Sequence, residues 1–371
     1  MSDLPTSTRA IVSTLTDDGT ITLSLTDQPL SELGAGDVLV EVGASPINPS
    51  DLGMMFAGAR LDDASEGDGS VSTTVTAGLG AMAGRIGKPM VCGNEGAGKV
   101  VAAGSDAAAS ALVGKVAGFV SGDAYAEYRV VHHSQCLEMP AGTTPEQAAA
   151  WFVNPLTALG MTETMRREGH TALVHTVGAS NLGQMLNRIC LADGIGLVNL
   201  VRRPEQAQLL RSQGAEHVVD TSAESFRDDL LAALSATGAT IAFDAIGGGE
   251  TAGTLLAAME RVASEGQEYS RYGSGRPTQV YIYGRLDLRP IVLPQRFGFS
   301  WSVGGWLLTP FLASIGDDVR RLRRRVADEI TTTFKSTYGM RLSLADAVDP
   351  DQVRRYAKMA TGDKALVTPQ A

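Results

Sequence analysis

Residues 174–183, VHTVGASNLG, have the residue types of a phosphate-binding turn between an apolar run and a helical stretch. Outward-pointing backbone N–H groups and the helix dipole at such a turn favour the pyrophosphate of a dinucleotide. Ser180 stands where the dinucleotide fingerprint has its middle glycine, so an ordinary strand-to-helix turn is the alternative. The spacing is not the G-x-S-x-G of a nucleophile elbow, which argues against a hydrolase. The residues expected to bind the cofactor here are Gly178, Ser180, Asn181, Leu182 and Gly183.

Two arginines, Arg202 and Arg203, follow the next apolar run, which covers residues 197–201. A dinucleotide-binding domain specific for NAD usually places a carboxylate there, about 20 residues past the glycines, for the ribose 2′-OH. Here the nearest carboxylate is Glu205. Guanidinium groups suit a 2′-phosphate, because they form charge-assisted, bidentate hydrogen bonds with it. The sequence therefore predicts NADPH bound by Arg202 and Arg203, with a solvated helix start as the alternative.

The elements that must position these residues change in character near residue 144. From there to residue 283, short apolar runs alternate with amphipathic helical stretches. This pattern predicts an α/β fold with a doubly wound, Rossmann-type parallel sheet that is covered on both faces. The first 150 residues instead carry short β-type runs between turn residues, which predicts a partly antiparallel, barrel-like domain. The tail from about residue 314 is expected to fold back onto that first domain.

The segment 57–89 is rich in Gly, Ala, Ser and Thr and poor in aromatic residues. Loops of this length are usually lids or poorly ordered segments. We therefore expect a lid or a poorly ordered loop here. A mobile surface loop with no role in the chemistry is an alternative of equal weight.

The composition of the chain argues against several classes of function. The chain has 371 residues and a formal net charge of −10, which argues against a nucleic-acid partner. No apolar run approaches the roughly 20 residues of a membrane helix, and the N-terminus lacks the apolar region of a signal peptide. Cys92, Cys136 and Cys190 lie far apart, so neither a disulfide framework nor a cysteine-based metal site is expected. We expect a cytoplasmic protein that acts on a small molecule and binds neither nucleic acid nor membrane.

The order and spacing of six segments resemble the medium-chain dehydrogenase/reductase superfamily over nearly the whole chain. The segments are residues 37–42, 47–51, 91–98, 124–128, 153–158 and 174–183. The resemblance implies a GroES-like, partly open β-barrel substrate domain interrupted by the Rossmann domain, and commonly a homodimer. The predicted domain ranges are 1–152 for the GroES-like domain, 153–309 for the dinucleotide-binding domain and 310–371 for the return to the first domain.

Zinc-dependent members of that superfamily carry G-H-E-x-x-G, in which the His is a metal ligand. This chain has Asn94 at that position, and the four-cysteine cluster that holds a structural zinc has no counterpart. His132 and His133 are adjacent and lack partners with metal-ligand spacing. The chain is therefore similar to the zinc-free quinone reductases and 2-enoyl thioester reductases, and no metal is expected.

Several segments are most similar to the 2-enoyl thioester reductases, which use NADPH. By this resemblance Asn48, in Ile47-Asn-Pro-Ser-Asp51, faces the nicotinamide and stabilises the enolate that hydride addition creates. A turn-forming role for Asn48 is the alternative. Those enzymes place a catalytic Tyr shortly after this motif, where the chain has Ala59. The proton donor is therefore open, with Tyr283, Tyr269 and Tyr272 as candidates.

Further cofactor contacts follow from the same resemblance, although helix packing and a buried strand position are alternatives for them. These residues are Asn154, Thr157, Tyr283 and Gly284. Together the residues predict a zinc-independent, NADPH-dependent oxidoreductase that reduces an activated C=C bond in an enoyl thioester, a 2-alkenal or an enone. An NADPH:quinone oxidoreductase is the alternative, and a dinucleotide-binding redox sensor without turnover is a third reading.

Overall fold

The computed structural model describes residues 4–67, 69–75, 78–293 and 296–371. The chain forms two compact units, the first comprising Met1–Val153 with Arg323–Ala371 and the second comprising Asn154–Leu322. Each unit has its own sheets and its own buried apolar clusters. The domain ranges 1–152, 153–309 and 310–371 remain a prediction.

The first unit is built from strands that pair mostly in antiparallel fashion. Its described strands are β1 Ser7–Leu15, β2 Thr20–Pro29, β3 Asp37–Pro46, β4 Ser65–Gly67, β5 Ser70–Thr74, β6 Met90–Val91, β7 Glu95–Ala103, β8 Val116–Val120, β9 Tyr128–His132, β10 Cys136–Glu138, β17 Met340–Leu342 and β18 Ala365–Val367. One sheet has the order β4-β5-β2-β1-β6, and a second has the order β10-β8-β7-β3-β18-β17 with β9 paired to β3. The expected partly antiparallel, barrel-like first domain is thereby confirmed.

The second unit carries a six-stranded parallel sheet in the order β13-β12-β11-β14-β15-β16. Its described strands are β11 Ala172–His175, β12 Gly196–Val201, β13 His217–Asp220, β14 Ile241–Asp244, β15 Thr278–Ile282 and β16 Trp301–Gly305. The central strands β11 and β14 are buried along their whole length, as expected for a sheet covered on both faces. The Rossmann-type doubly wound fold is confirmed.

Helices connect these strands and, in the second unit, provide the cover of the parallel sheet. The described α-helices are α1 Pro49–Phe56, α2 Ala107–Ser110, α3 Pro145–Ala148, α4 Val153–Arg167, α5 Asn181–Asp193, α6 Pro204–Ser212, α7 Phe226–Thr237, α8 Thr251–Ser264, α9 Leu308–Ile315, α10 Asp318–Asp328 and α11 Pro350–Tyr356. Across the described ranges, no helix combines the length and the apolar character needed to cross a bilayer.

Helix α1 begins where β3 ends, and its start is well specified by the local sequence. Asn48 is the N-cap residue in extended backbone geometry, and Pro49 occupies the first helical position, where no N–H is needed. The carboxylate of Asp51 accepts the Asn48 backbone N–H at 2.7 Å, which completes one half of a capping box. Met55 and Phe56 anchor the other end of the helix in the core of the first unit.

The expectation of a loop over residues 57–89 is wrong for part of the segment, which contains two strands and a 3₁₀ helix. β4 pairs with β5, and β5 pairs with β2 through the register Leu23↔Val71, so these strands extend the first sheet. Val71 lies in the buried core cluster, and a 3₁₀ helix covers Leu79–Arg85. Residues 68, 76 and 77 lie outside the described residues. Alternating serine, threonine and valine residues form a β ladder here, which the low aromatic content of the segment concealed.

Candidate functional site

The turn between β11 and α5 has the close packing that a phosphate-binding turn requires. A Cβ atom added to Gly183 would lie 2.2 Å from the carbonyl oxygen of Gly178, so only glycine fits at position 183. A Cβ on Gly178 would lie 2.8 Å from the Asn199 side-chain oxygen. Both glycines are therefore needed for the helix to approach the sheet this closely.

Ser180 has a structural task in this turn. It is the N-cap residue of α5, and its hydroxyl accepts the Gly183 backbone N–H at 3.0 Å. Helix α5 thus starts with a fixed N-terminus whose dipole favours an anion. The N–H of Leu182 has no hydrogen-bond partner among the described residues, so it is available to an anionic ligand. The fit to a dinucleotide pyrophosphate therefore comes from the backbone, with Ser180 shaping the turn.

Arg202 and Arg203 lie directly after β12, at the start of α6. Both side chains are exposed, and the described part of the chain provides neither guanidinium with an ion-pair partner. The Arg202 backbone N–H donates to the Gln206 side chain at 3.1 Å, which ties this turn to the helix. Two unpaired cations beside a helix N-terminus are unfavourable without an anion, since the dipole repels them. Their contact with a 2′-phosphate stays a prediction.

The remaining predicted cofactor residues lie at two places in the second unit. Asn154 and Thr157 are buried in the first turns of α4. Tyr283 and Gly284 follow β15, and a Cβ on Gly284 would lie 2.7 Å from the Ala245 carbonyl oxygen. Gly284 is therefore fixed by a close backbone approach. The contacts of all four with a cofactor stay predictions.

Tyr283, which is half-buried, forms a pair with the buried His175 that the sequence did not reveal. Its hydroxyl lies 2.7 Å from Nε2 of His175, and the two rings stack with their centroids 5.8 Å apart. Burial lowers the pKa of His175 to about 3, so the imidazole is neutral at physiological pH. Burial also raises the pKa of Tyr283 well above its ordinary value. Both effects disfavour Tyr283 as a proton donor near neutral pH.

The other two tyrosine candidates lie in a surface loop. Tyr269 is 94% exposed and Tyr272 is 56% exposed, and the Arg271 guanidinium lies 4.6 Å from the Tyr272 ring centroid. Ala59, at the position of the expected acid, packs with the apolar cluster around Leu15 and Ile21. Neither tyrosine is sheltered from solvent and Ala59 has no acidic group, so none of these residues has the position of a general acid.

Asn48 belongs to the first unit, where its side chain lies in a buried polar network. The residue is 1% exposed. Its Nδ2 donates to Oε1 of Glu95 at 2.8 Å, and its Oδ1 accepts a hydrogen bond from Nζ of Lys364 at 2.6 Å. The amide is thus held on both sides by charged groups, which restricts its rotation more than turn formation alone requires. Its catalytic role stays a prediction.

Two buried carboxylates complete this network. Glu95 accepts the backbone N–H groups of Phe152 and Val153 at 2.7 and 3.0 Å through its other oxygen. Burial raises the pKa of Glu95 to about 7, although these hydrogen bonds and the charge of Lys364 act in the opposite direction. Burial likewise raises the pKa of Asp51 to about 6, against hydrogen bonds from Asn48 and Asn94 and the charge of Lys364. The network therefore holds groups that can exchange protons near neutral pH.

Asn94, at the position of the zinc-binding His, is engaged by Asp51. Its backbone N–H and its Nδ2 donate to Oδ1 of Asp51 at 2.9 and 2.8 Å. In the described ranges, no cluster of three or more His, Cys, Asp or Glu side chains is arranged to hold a metal ion. The donor set around Asn94 is thus an amide and a buried carboxylate, which is a poor match for the nitrogen and sulfur ligands that zinc prefers.

Comparisons with known proteins find that this chain is similar to oxidoreductases. Residues 34–141 match the family of alcohol dehydrogenase GroES-like domains. A quinone oxidoreductase of Pseudomonas aeruginosa is 32% identical over 166 residues, which are 43% of this chain and 50% of that protein. The human mitochondrial enoyl-[acyl-carrier-protein] reductase is 27% identical over 230 residues, 58% of this chain and 53% of that protein. The aligned regions thus span about half the length of these curated relatives.

A solved structure extends the likeness to the whole fold. A proposed NADPH:quinone reductase from Mesorhizobium loti has a TM-score of 0.74 at 24% sequence identity, covering 99% of this chain and 100% of that chain. At this identity the comparison establishes the shared architecture, with both the GroES-like and the Rossmann-type regions included.

Proposed function

We propose that the chain is a member of the medium-chain dehydrogenase/reductase superfamily and an NADPH-dependent reductase of activated C=C bonds. The observation that carries the proposal is the glycine turn at Gly178–Gly183 followed by Arg202 and Arg203, which are exposed and have no ion-pair partner among the described residues. The named relatives include an enoyl reductase, whose substrate class agrees with it. The substrates proposed are enoyl thioesters, 2-alkenals and enones.

NADPH, when bound, supplies the hydride that adds to the β-carbon of the substrate. The residues proposed to hold it are the turn residues already described, the arginine pair, and Asn154, Thr157, Tyr283 and Gly284. The α5 N-terminus neutralises the pyrophosphate through the helix dipole and backbone N–H groups. The arginine pair binds the 2′-phosphate, which gives the preference for NADPH over NADH.

Asn48 is the residue proposed to act on the substrate. Its side-chain amide donates a hydrogen bond to the carbonyl oxygen, on which negative charge grows as the enolate forms. A donor that is already fixed by Glu95 and Lys364 loses little freedom when the charge develops. The ribose hydroxyl of the cofactor is proposed as a second donor, and solvent delivers the final proton to the α-carbon because Ala59 has no acidic group.

A quinone is the second candidate acceptor. The Pseudomonas aeruginosa relative, which has the highest identity among the proteins described above, is a quinone oxidoreductase. A donor such as Asn48 serves a quinone carbonyl as well as an enone carbonyl, because both accumulate charge on oxygen. A non-catalytic redox sensor is disfavoured, since a protein that only binds a dinucleotide has no need of a buried, charge-fixed amide in its other unit.

A steady-state screen of NADPH oxidation tests the proposal. The acceptors are crotonyl-CoA, trans-2-hexenal and 1,4-benzoquinone, each measured with NADPH and with NADH. Turnover of an enoyl acceptor with NADPH supports the proposed function, and turnover of the quinone alone assigns the alternative. NADPH binding without turnover of any acceptor would instead favour the sensor.

The protein is further proposed to be a cytoplasmic homodimer that acts on a small molecule and not on nucleic acid. β16 is an edge strand of the parallel sheet, and an exposed edge is open to pairing with another chain. Phe299 and Leu307, on either side of β16, are 79% and 65% exposed, and such apolar exposure favours association. Three free, buried thiols agree with a reducing compartment.

A further inference from the structure

The register of one sheet brings Lys364 to Asn48. β3 is flanked by β7 on one side and by β18 on the other. β18 pairs with β3 so that Leu366 lies opposite Pro46, and extending this antiparallel register by two residues places Lys364 opposite Asn48. The Ile47 backbone N–H donates to the Ala365 carbonyl at 3.0 Å, which continues the ladder to this point. Lys364 is thus positioned by backbone pairing.

The same sheet places Glu95 on the other side. Glu95 is the first residue of β7, and the Ser45 hydroxyl donates to its carbonyl at 2.5 Å. The carboxylate of Glu95, the amide of Asn48 and the ammonium of Lys364 therefore lie in a row at the ends of three neighbouring strands. The amide in the middle, Asn48, is the residue proposed to contact the substrate.

The two charges fix which way the amide faces. An asparagine amide has an oxygen that only accepts and a nitrogen that only donates, and the two are similar in shape. The Lys364 ammonium only donates, and an ionised Glu95 only accepts. A flipped amide would face each charge with the wrong group and would lose two charge-assisted hydrogen bonds. Only one orientation of Asn48, with its nitrogen on the Glu95 side, satisfies both neighbours.

We propose that Lys364 and Glu95 are positioning residues that hold the Asn48 amide in the one orientation in which its nitrogen donates to the substrate oxygen. This inference rests on the proposed function. Lys364 never contacts the substrate in this arrangement and acts through Asn48. The arrangement requires Glu95 to be ionised, because a protonated Glu95 gains a donor and accepts either orientation of the amide.

Lys364 also favours the ionised form of Glu95. The titratable groups that face Glu95 are Lys364 and Tyr338, and those that face Lys364 are Glu95 and Asp51. Asp51 in turn faces Lys364, Tyr125 and Cys92. Lys364 is the cation among these groups, so its removal leaves two buried carboxylates without a counter-charge. Glu95 would then take up a proton at a higher pH than in the wild type.

The test compares Lys364→Met, Lys364→Arg and the exposed-lysine control Lys358→Met, using the best acceptor from the screen. We expect Lys364→Met to lower kcat about 10- to 100-fold near pH 7, a smaller loss than the roughly 100- to 1000-fold that follows removal of a whole oxyanion donor, because Asn48 itself is retained. Its acid limb in the kcat/KM profile should move up by about one pH unit or more. Lys364→Arg should restore much of the rate and the wild-type limb, and Lys358→Met should match the wild type.

A pH-independent loss in Lys364→Met, or no loss, would overturn the proposal, because a merely structural lysine would not move the acid limb. Thermal unfolding of each variant identifies any general loss of stability. A carbon-13 NMR titration of the Glu95 carboxyl, assigned with Glu95→Gln, provides a readout without turnover. If no acceptor is reduced, the proposed function fails. An unchanged Glu95 titration in Lys364→Met then overturns the positioning role separately, and an upward shift supports it.

Discussion

The preference for NADPH over NADH should depend on Arg202 and Arg203, and replacing both with alanine should remove most of it. Both side chains are exposed and have no ion-pair partner within the described ranges, so no internal anion competes with a 2′-phosphate. Hydrogen bonds to charged groups contribute about 1.5–3 kcal/mol each, and exposure reduces charge pairs toward about 1 kcal/mol. Two such contacts give about 2–3 kcal/mol, a roughly 30- to 150-fold difference in dissociation constant.

Fluorescence titrations with NADPH and NADH measure this preference directly. We expect the double variant to bind NADPH more weakly and NADH about as well as the wild type does. The matched control is Arg227→Ala with Arg261→Ala, which removes the same charge from exposed positions on α7 and α8. Added salt should weaken NADPH binding more in the wild type than in the double variant. Equal dissociation constants for the two cofactors in the unaltered protein would refute the reasoning.

Four further outcomes are expected. Elemental analysis should find no stoichiometric zinc and chelation should leave activity unchanged, because Asn94 replaces the ligand His; a tightly bound zinc in each chain would contradict this. Asn48→Ala should lower kcat roughly 10- to 1000-fold with little change in cofactor affinity, and an unchanged kcat on every accepted substrate would remove Asn48 from the mechanism. Light scattering should show a dimer, and the double substitution Phe299→Lys and Leu307→Lys should convert it to a monomer. If the double variant remains a dimer, the interface does not lie at the β16 edge. Burial raises the pKa of Glu95 from 4.5 to about 7, so its carboxylate destabilises the fold increasingly as pH rises through that interval. Urea unfolding should therefore show Glu95→Gln gaining up to about 3 kcal/mol on the wild type between about pH 4.5 and 7, whereas a constant difference would count against the shift.

The parts of the molecule that could be predicted are those in which local pattern decides structure. Apolar runs of four to six residues alternating with helical stretches leave few alternatives to a parallel sheet, and the second unit has that sheet. The glycines of the turn could also be predicted, because a close strand-to-helix turn leaves no room for a side chain at Gly183. Ser180 was predicted as a cofactor contact, and the structure adds that it caps α5. The strands within 57–89 were missed because their Ser- and Thr-rich sequence resembles a loop.

The Asn48 network could not be predicted because strand order, and not local sequence, brings its members together. Glu95 lies in a motif of the resemblance but was not singled out as a site residue. The tail that contains Lys364 is predicted to fold back onto the first domain, but no local pattern singles out that lysine. His175 and Tyr283 meet for a similar reason, since β11 and β15 both flank β14 in the parallel sheet. In both cases polar groups from distant segments meet through hydrogen bonds that local sequence does not indicate.

The position of Lys364 links the chain's C-terminal segment to the proposed chemistry. β18 is only three residues long, yet all three are buried, and its pairing with β3 sets the distance between Lys364 and Asn48. A shift of that strand by one residue would turn its side chains to the opposite face and would withdraw the ammonium from the amide. The buried Leu366 and Val367 therefore hold the register on which the Asn48 orientation depends. In this fold the last strand stabilises the first unit and also determines which way a buried amide in the proposed active site faces.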